Sequence, residues 1–189
     1  LLIEFQEKTN LIGSGTISSI WNRHFSDSAK LTDRIISYKN KTKTILKVCD
    51  VGSGAGFPGL VCFLILLSQK HEVSMTLIES NKKKCEFLTR VKKKLMLTLN
   101  IINERVEKVE EKYDVILSRA VAPLHNLLRL LMPLSKKNTI FLLPKGKNYQ
   151  KKIEKAKKLW KFSHKVVKNS YLLDKSGGVT LEIFGLKKK

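Results

Sequence analysis

The sequence predicts an α/β fold, an open and mostly parallel sheet covered by helices on both faces. Three observations carry that reading. From Thr44 onward, short apolar runs alternate with amphipathic helical stretches. A glycine-rich turn, Asp50-Val51-Gly52-Ser53-Gly54-Ala55-Gly56-Phe57-Pro58-Gly59, closes the first apolar run. The second run, Met75-Thr76-Leu77-Ile78, ends in Glu79, about 20 residues beyond the turn, where an acidic residue can meet a ribose.

Each element has its own warrant. Residues 1–43 are mixed and polar, and Leu31, Ile35 and Ile36 place a short helix over Ser28–Ser37; this segment is expected to pack as an arm on the domain formed by 44–189. The first strand is Ile45–Val51. The helix after it opens near Pro58, a residue suited to a first helical turn, and carries Leu60, Phe63, Leu64 and Leu67 at i, i+3, i+4, i+7 spacing. The second strand is Val73–Ile78. Its following helix presents Cys85, Leu88, Val91 and Leu95, while Lys82, Lys83 and Lys84 oppose the dipole at its start. The third strand is Leu99–Ile102 and the fourth Tyr113–Ser118. A helix from Pro123 presents Leu124, Leu127, Leu128 and Leu131, and a fifth strand covers Thr139–Leu143. A lysine-rich helix over Tyr149–Lys161 turns Ile153, Ala156 and Trp160 inward. Strands Lys165–Leu173 and Val179–Phe184 follow, joined closely enough through Asp174–Gly178 that one of them must run antiparallel. Five parallel strands and a terminal antiparallel pair are the architecture of the class I S-adenosylmethionine-dependent methyltransferase fold, a Rossmann-like sheet.

The glycine turn fits two registers. Gly54 to Gly59 matches the dinucleotide pattern G-x-G-x-x-G, whereas Gly52-Ser53-Gly54-Ala55-Gly56 matches the G-x-G-x-G of S-adenosylmethionine enzymes. The tight turn should begin where the strand stops, at Gly52. Asp50 lies two residues earlier, and a carboxylate there repels a pyrophosphate but suits the ammonium and sulfonium of S-adenosylmethionine. Glu79 is then the acceptor for the ribose hydroxyls. A dinucleotide-dependent oxidoreductase remains the competing reading at this point.

Composition narrows the class. The 189 residues suffice for one domain with a sizeable core, and the longest apolar run, Leu60–Leu67, is too short to span a bilayer. No basic-then-apolar leader opens the sequence, which starts at Leu1 rather than Met, as a processed or shortened chain would. Cys49, Cys62 and Cys85 make an odd count without ligand spacing, so they are expected to be buried free thiols of a cytoplasmic monomer that holds no metal. The formal charge of +21 points to a polyanion. Only six of the 37 basic residues are Arg, so part of that charge reads as genomic lysine drift. Clustering is more telling: residues 151–168 hold eight lysines and one acid, Glu154. Lys151, Lys152, Lys155 and Lys158, with Arg23 and His24, are the candidate RNA contacts.

Ligands in an open α/β sheet sit outside the carboxyl ends of the strands. Gly52, Glu79, the pair Val106-Glu107, Arg119 and Lys145 all fall at such ends. Arg119 can anchor a cofactor carboxylate or the target, and Lys145 can meet RNA.

Three segments together carry a resemblance: the glycine turn Asp50–Gly59, Arg119-Ala120-Val121-Ala122-Pro123-Leu124, and Arg23-His24-Phe25-Ser26-Asp27-Ser28, with Asn10-Leu11 ahead of the last. Over nearly its whole length the chain resembles the RsmG (GidB) methyltransferases. The resemblance implies methyl transfer from S-adenosylmethionine to N7 of a guanosine in 16S ribosomal RNA of the small subunit. It places cofactor contacts on Gly52, Phe57, Val106, Glu107 and Arg119, to be added to Asp50, Gly54, Gly56 and Glu79. Phe57 stands where that family is often aliphatic, and Pro144 before Lys145 is less usual.

What the sequence omits speaks to mechanism. It has neither the Asn/Asp-Pro-Pro-aromatic loop of adenine amino methylation nor a Pro-Cys nucleophile for pyrimidine carbon-5. Guanine N7 has an exposed lone pair and needs no deprotonation, so no catalytic base is assigned, and rate is expected from proximity and alignment.

Overall fold

The structure, a computed structural model, describes residues 1–168 and 178–189. An N-terminal helix α1 (Leu2–Gln6) leads into a π-helical turn over Trp21–Ser26, a short α2 (Asp27–Ala29) and α3 (Thr32–Lys39). Then come β1 (Leu46–Val51), α4 (Gly59–Ser68), β2 (Val73–Ile78), α5 (Lys82–Lys94), β3 (Asn100–Ile102) and β4 (Tyr113–Leu117). The chain continues through α6 (Leu124–Leu131), β5 (Ser135–Lys145), α7 (Tyr149–Lys157), β6 (Trp160–Lys168) and β7 (Val179–Lys188).

The seven strands among the described residues form one sheet in the order β3-β2-β1-β4-β5-β7-β6. Pairs β3/β2, β2/β1, β1/β4 and β4/β5 are parallel, while β7 runs antiparallel between β5 and β6. The order reverses between β1 and β4, which opens a crevice above the glycine turn.

Both faces of the sheet are buried, as a parallel sheet requires. Along β1 the side chains alternate: Leu46 and Val48 join the core formed with α4 and α5, and Cys49 and Val51 join the core formed with α6 and α7. Leu11, Ile12, Leu31 and Ile35 from the N-terminal segment belong to the first core, Leu31 and Ile35 with no exposed surface. The same segment is tied to β7, toward the other end of the sheet. Glu182 of β7 is fully buried and accepts from the Arg34 guanidinium and from the Tyr38 hydroxyl at 3.0 Å. Closer to the start, Gln6 Oε1 takes the amides of Leu11 and Ile12, each at 2.9 Å.

Several expected bounds move. Ile45 is exposed, so β1 starts at Leu46. On α4 Leu60 and Phe63 are buried as expected, with Val61, Cys62 and Leu66; Leu64 is half-buried and Leu67 exposed. Leu95 ends α5 and is exposed. The helix of the arm is α3, over Thr32–Lys39 rather than Ser28–Ser37, because the π turn and α2 take up the residues before it. The lysine-rich helix stops at Lys157, and Trp160 opens β6, its indole donating to the His125 carbonyl at 3.0 Å. β6 is therefore Trp160–Lys168; the expected continuation to Leu173 and the join Asp174–Gly177 lie outside the described residues. β5 and β7 are both longer than their apolar cores suggest.

All three cysteines are buried and free. Among the described residues, no helix is long and apolar enough to cross a membrane, and no group of three His, Cys, Asp or Glu could hold a metal ion.

Candidate active site

The turn between β1 and α4 is built from backbone. Gly52, Gly54 and Gly56 have φ of +70°, +57° and +89°, values that other residues adopt only under strain. The amides of Gly52 and Ser53 both donate to the Ile78 carbonyl, at 2.9 and 3.2 Å, which fixes the turn to the end of β2. The three glycines differ in what surrounds them. A Cβ on Gly52 would lie 2.3 Å from Val121 Cγ2, and one on Gly56 would lie 2.7 Å from Leu60 Cβ. A Cβ on Gly54 would meet only the Gly52 carbonyl at 4.0 Å. Gly54 thus marks a cradle, open backbone that a ligand can approach and a side chain would fill.

Glu79 clamps this turn. Its Oε2 accepts from the Gly54 amide at 2.9 Å and its Oε1 from the Asn81 amide at 2.8 Å. Its own carbonyl takes Asn103 Nδ2 at 3.0 Å and Cys85 Sγ at 3.2 Å. The carboxylate is 9 % exposed at the crevice, beside the open Gly54, with lone pairs remaining for hydroxyl donors. Asn81 and Asn103 were not candidates in the sequence; the N-cap spacing of Asn81 before Lys84 was the available signal.

Asp50 corrects an expectation. Its side chain is wholly buried and points beneath the turn, where Oδ2 accepts from the Gly59 amide at 2.8 Å and Oδ1 has no partner. Burial pushes its pKa up to about 7; the Gly59 amide opposes the shift and Glu79 adds to it. Asp50 supports the turn from inside rather than presenting a carboxylate to a cofactor.

Val106 and Glu107 lie in a single 3-10 turn after β3. Val106 is half-buried against the second core and Glu107 is exposed. Phe57 is buried between the arm and the sheet, its ring 5.0 Å from His24, 5.1 Å from Phe25 and 5.7 Å from the Arg119 guanidinium.

A second group of residues gathers where β4 and β5 end. Arg119 donates from Nη1 to the Arg23 carbonyl at 2.8 Å and approaches His24 Nδ1 at 2.6 Å through Nη2. A guanidinium can only donate, so Nδ1 is the acceptor and the His24 proton sits on Nε2. Nε2 donates to Thr16 Oγ1 at 2.8 Å, which donates in turn to the Gly13 carbonyl at 2.7 Å. Burial, then the charges of Arg119 and Arg23, push the His24 pKa down to about 4, against Asp27. His24 is therefore neutral and 8 % exposed, with both ring nitrogens engaged. Its hydrogen bonds hold Arg119 in place at the wall of a cavity. Thr16, its partner, has no signature in the sequence.

These residues line a cavity of about 550 Å³ with Asp27, Pro144, Lys145, Lys152 and Thr180. Lys145 is partly buried there, and burial followed by the Lys152 charge pushes its pKa down to about 8. Lys152 stands at the rim, and Lys151, Lys155 and Lys158 continue outward on the exposed side of α7 and its end. The structure thus sorts the expected residues into two groups. Gly52, Gly54, Gly56 and Glu79 gather at the carboxyl ends of β1 and β2, on one side of the crevice. Arg23, His24, Arg119, Lys145 and Lys152 form the pocket beside it.

Solved structures with this architecture include S-adenosylmethionine-dependent methyltransferases. A putative member from Methanococcus maripaludis superposes with a TM-score of 0.62 at 14 % identity, covering 98 % of this chain and 95 % of that one. Magnesium protoporphyrin IX methyltransferase from Synechocystis, solved with S-adenosylmethionine bound, gives 0.58 at 12 % identity, covering 84 % and 79 %. These likenesses establish the fold. The family follows from sequence: residues 1–177 match the model of GidB, rRNA small subunit methyltransferase G, and the chain belongs to that family. The ribosomal RNA small subunit methyltransferase G of Zymomonas mobilis is 39 % identical over 154 residues, covering 80 % of this chain and 67 % of the relative. That of Bartonella henselae is 38 % identical over 182 residues, covering 92 % and 81 %. Membership closes the dinucleotide reading of the turn.

Proposed function

We propose that this chain transfers a methyl group from S-adenosylmethionine to N7 of a guanine in 16S ribosomal RNA of the small subunit. The observation that carries the reading is the adjacency of two unlike sites. The glycine turn clamped by Glu79 ends β1, and the neighbouring β4 leads through Arg119 and Val121, the latter against Gly52, into a cavity whose walls carry Arg23, Arg119, Lys145 and Lys152. The names of the relatives supply the substrate.

The residues fit the cofactor. The open backbone at Gly54 admits a flat nucleoside, Glu79 retains acceptor capacity for ribose hydroxyls, and Val106 offers an apolar wall. When bound, S-adenosylmethionine supplies an electrophilic methyl on sulfonium, whose departure leaves a neutral thioether. The protein holds a guanine extruded from its stack with N7 facing that methyl, and Arg23, Lys145 and Lys152 hold the flanking phosphates. No proton has to leave N7, so the pocket needs no base. Neutral His24 keeps Arg119 oriented and adds no charge. The exposed lysines of α7 extend the basic surface along the RNA backbone.

The test is transfer of labelled methyl to isolated small subunits and to bulk transfer RNA, with the modified base mapped by strand cleavage at 7-methylguanosine. The expected result is label confined to one guanine of the small-subunit RNA. Label on transfer RNA, on protein or on another base atom would overturn the proposal.

A further inference from the structure

Asp27 is the one carboxylate among the described residues that line the basic pocket. It faces the Arg119 and His24 side of the cavity, and its charge acts on both groups. Its Oδ1 accepts from Lys30 Nζ at 2.9 Å, one turn along the same helical stretch, which fixes the side chain. A carboxylate has about four acceptor sites, so capacity remains on the side facing the cavity. The ion pair with Lys30 accounts for one side of Asp27; neither electrostatic attraction for RNA nor cofactor binding explains why its other side faces a cavity walled by Arg23, Arg119, Lys145 and Lys152.

The chemistry of the proposed target does explain it. Guanine presents two adjacent donors, N1–H and the N2 amino group, on the edge away from N7. A carboxylate accepts both in parallel, and no other base offers that pair. Reading this edge leaves N7 bare for reaction. Methylation also makes the purine cationic and acidifies N1–H, so a hydrogen bond from N1–H to a carboxylate strengthens as the reaction proceeds. An interaction stronger in the transition state than in the ground state accelerates the step. Without it, a base gaining positive charge would sit among cations alone.

We infer that Asp27 reads the N1–H and N2–H edge of the target guanine and stabilises the positive charge that develops on the base. The inference rests on the proposed guanine N7 reaction. The N7 lone pair forms the new bond to the methyl carbon and the carbon–sulfur electrons leave with sulfur; N1 keeps its proton, so Asp27 only accepts hydrogen bonds.

The experiment compares target hairpins of small-subunit RNA carrying guanosine or inosine at the modified position, with the wild-type chain and with Asp27→Asn. Inosine keeps N7 and N1–H but lacks the N2 amino group. The wild type should methylate the inosine hairpin roughly tenfold or more slowly in kcat/KM, the scale of one missing hydrogen bond to a charged acceptor. Asp27→Asn should be slower on guanosine, mainly in kcat, and should show a guanosine-to-inosine ratio within about twofold of unity. Equal wild-type rates on the two hairpins would overturn the inference, without need of a variant that folds. So would an unchanged ratio in Asp27→Asn. A wild type that labels neither hairpin nor intact small subunits would instead overturn the N7 proposal itself, and this inference with it.

Discussion

The glycine turn at the ends of β1 and β2 and the pocket beyond β4 and β5 are neighbours built on opposite plans. The first is made of backbone: positive-φ glycines, two amides on the Ile78 carbonyl, and a carboxylate clamped to main-chain donors. The second is made of side chains from distant segments, Arg119 after β4 held by His24 and Arg23 from the N-terminal arm. A backbone site tolerates little change at its glycines and is indifferent to surface charge. A side-chain site depends on charge balance and on the docking of an arm. The two should therefore fail separately, and in different ways.

The largest effect is expected at Gly56. Valine there meets Leu60 Cβ at 2.7 Å and must adopt φ +89°, a combined cost of about 3 kcal/mol or more. Thermal unfolding should show a lowered midpoint, and calorimetry should show no cofactor binding. On the pocket side, glutamate at Lys151, Lys152, Lys155 and Lys158 should weaken RNA binding by orders of magnitude at low salt. The slope of log affinity against log salt should flatten by about 0.7 for each single-strand phosphate that the variant no longer neutralises. Equal slopes in filter-binding titrations would identify the cluster as genomic drift.

Glu79→Ala strips the acceptor from the Gly54 and Asn81 amides, so it should cost about 1–3 kcal/mol in folding stability as well as cofactor affinity. Glu79→Gln keeps an acceptor oxygen and should lose less of both. A fully stable Glu79→Ala chain would mean that the turn stands without its clamp.

The smallest effect concerns pH. The His24 pKa is lowered in the fold from 6.5 to about 4, so its neutral form contributes stability above pH 6.5 that is lost as pH falls toward 4. Asp50 acts in the opposite direction, because its pKa is raised from 3.8 to about 7 and the fold binds its proton more tightly through that window. The informative quantity is the difference between wild type and His24→Asn in denaturant midpoints at pH 7.5 and 5. The variant should lose less stability on acidification, and parallel losses would show that His24 is not held neutral.

The same contrast explains what the sequence made legible. Gly52, Gly54, Gly56 and Glu79 could be placed before the fold was seen, because a backbone turn leaves a local signature of glycine spacing and strand ends. The pocket was legible only in part. Arg119 and Arg23 stood out as charged residues in motifs, but Thr16 and the hydrogen-bonded ring of His24 take their places only where segments far apart in the chain meet. Asp50 sat at the right spacing and points inward, because burial follows side-chain alternation along β1, with Gly59 beneath it. The spacing of Trp160 from Ile153 and Ala156 predicts a helical position, whereas Trp160 opens β6. The alternation Trp160, Phe162 and Val166 on one side of β6 is the signal that outweighs it, and it becomes decisive once β7 supplies a partner strand.

The central claim is that cofactor and RNA are held by separable structures. It is tested most directly by titrating S-adenosylmethionine and a small-subunit RNA hairpin against two proteins, Gly54→Ala and the fourfold lysine-to-glutamate variant. Alanine at Gly54 has room for its Cβ and costs about 1–2 kcal/mol for its left-handed backbone, while filling the cradle proposed for the ligand. The account predicts that Gly54→Ala loses tenfold or more in S-adenosylmethionine affinity and binds RNA as the wild type does, a loss of about 1.4 kcal/mol or more in binding. It predicts the reverse for the lysine variant. Loss of both ligands in either protein, or full cofactor affinity in Gly54→Ala, would contradict it.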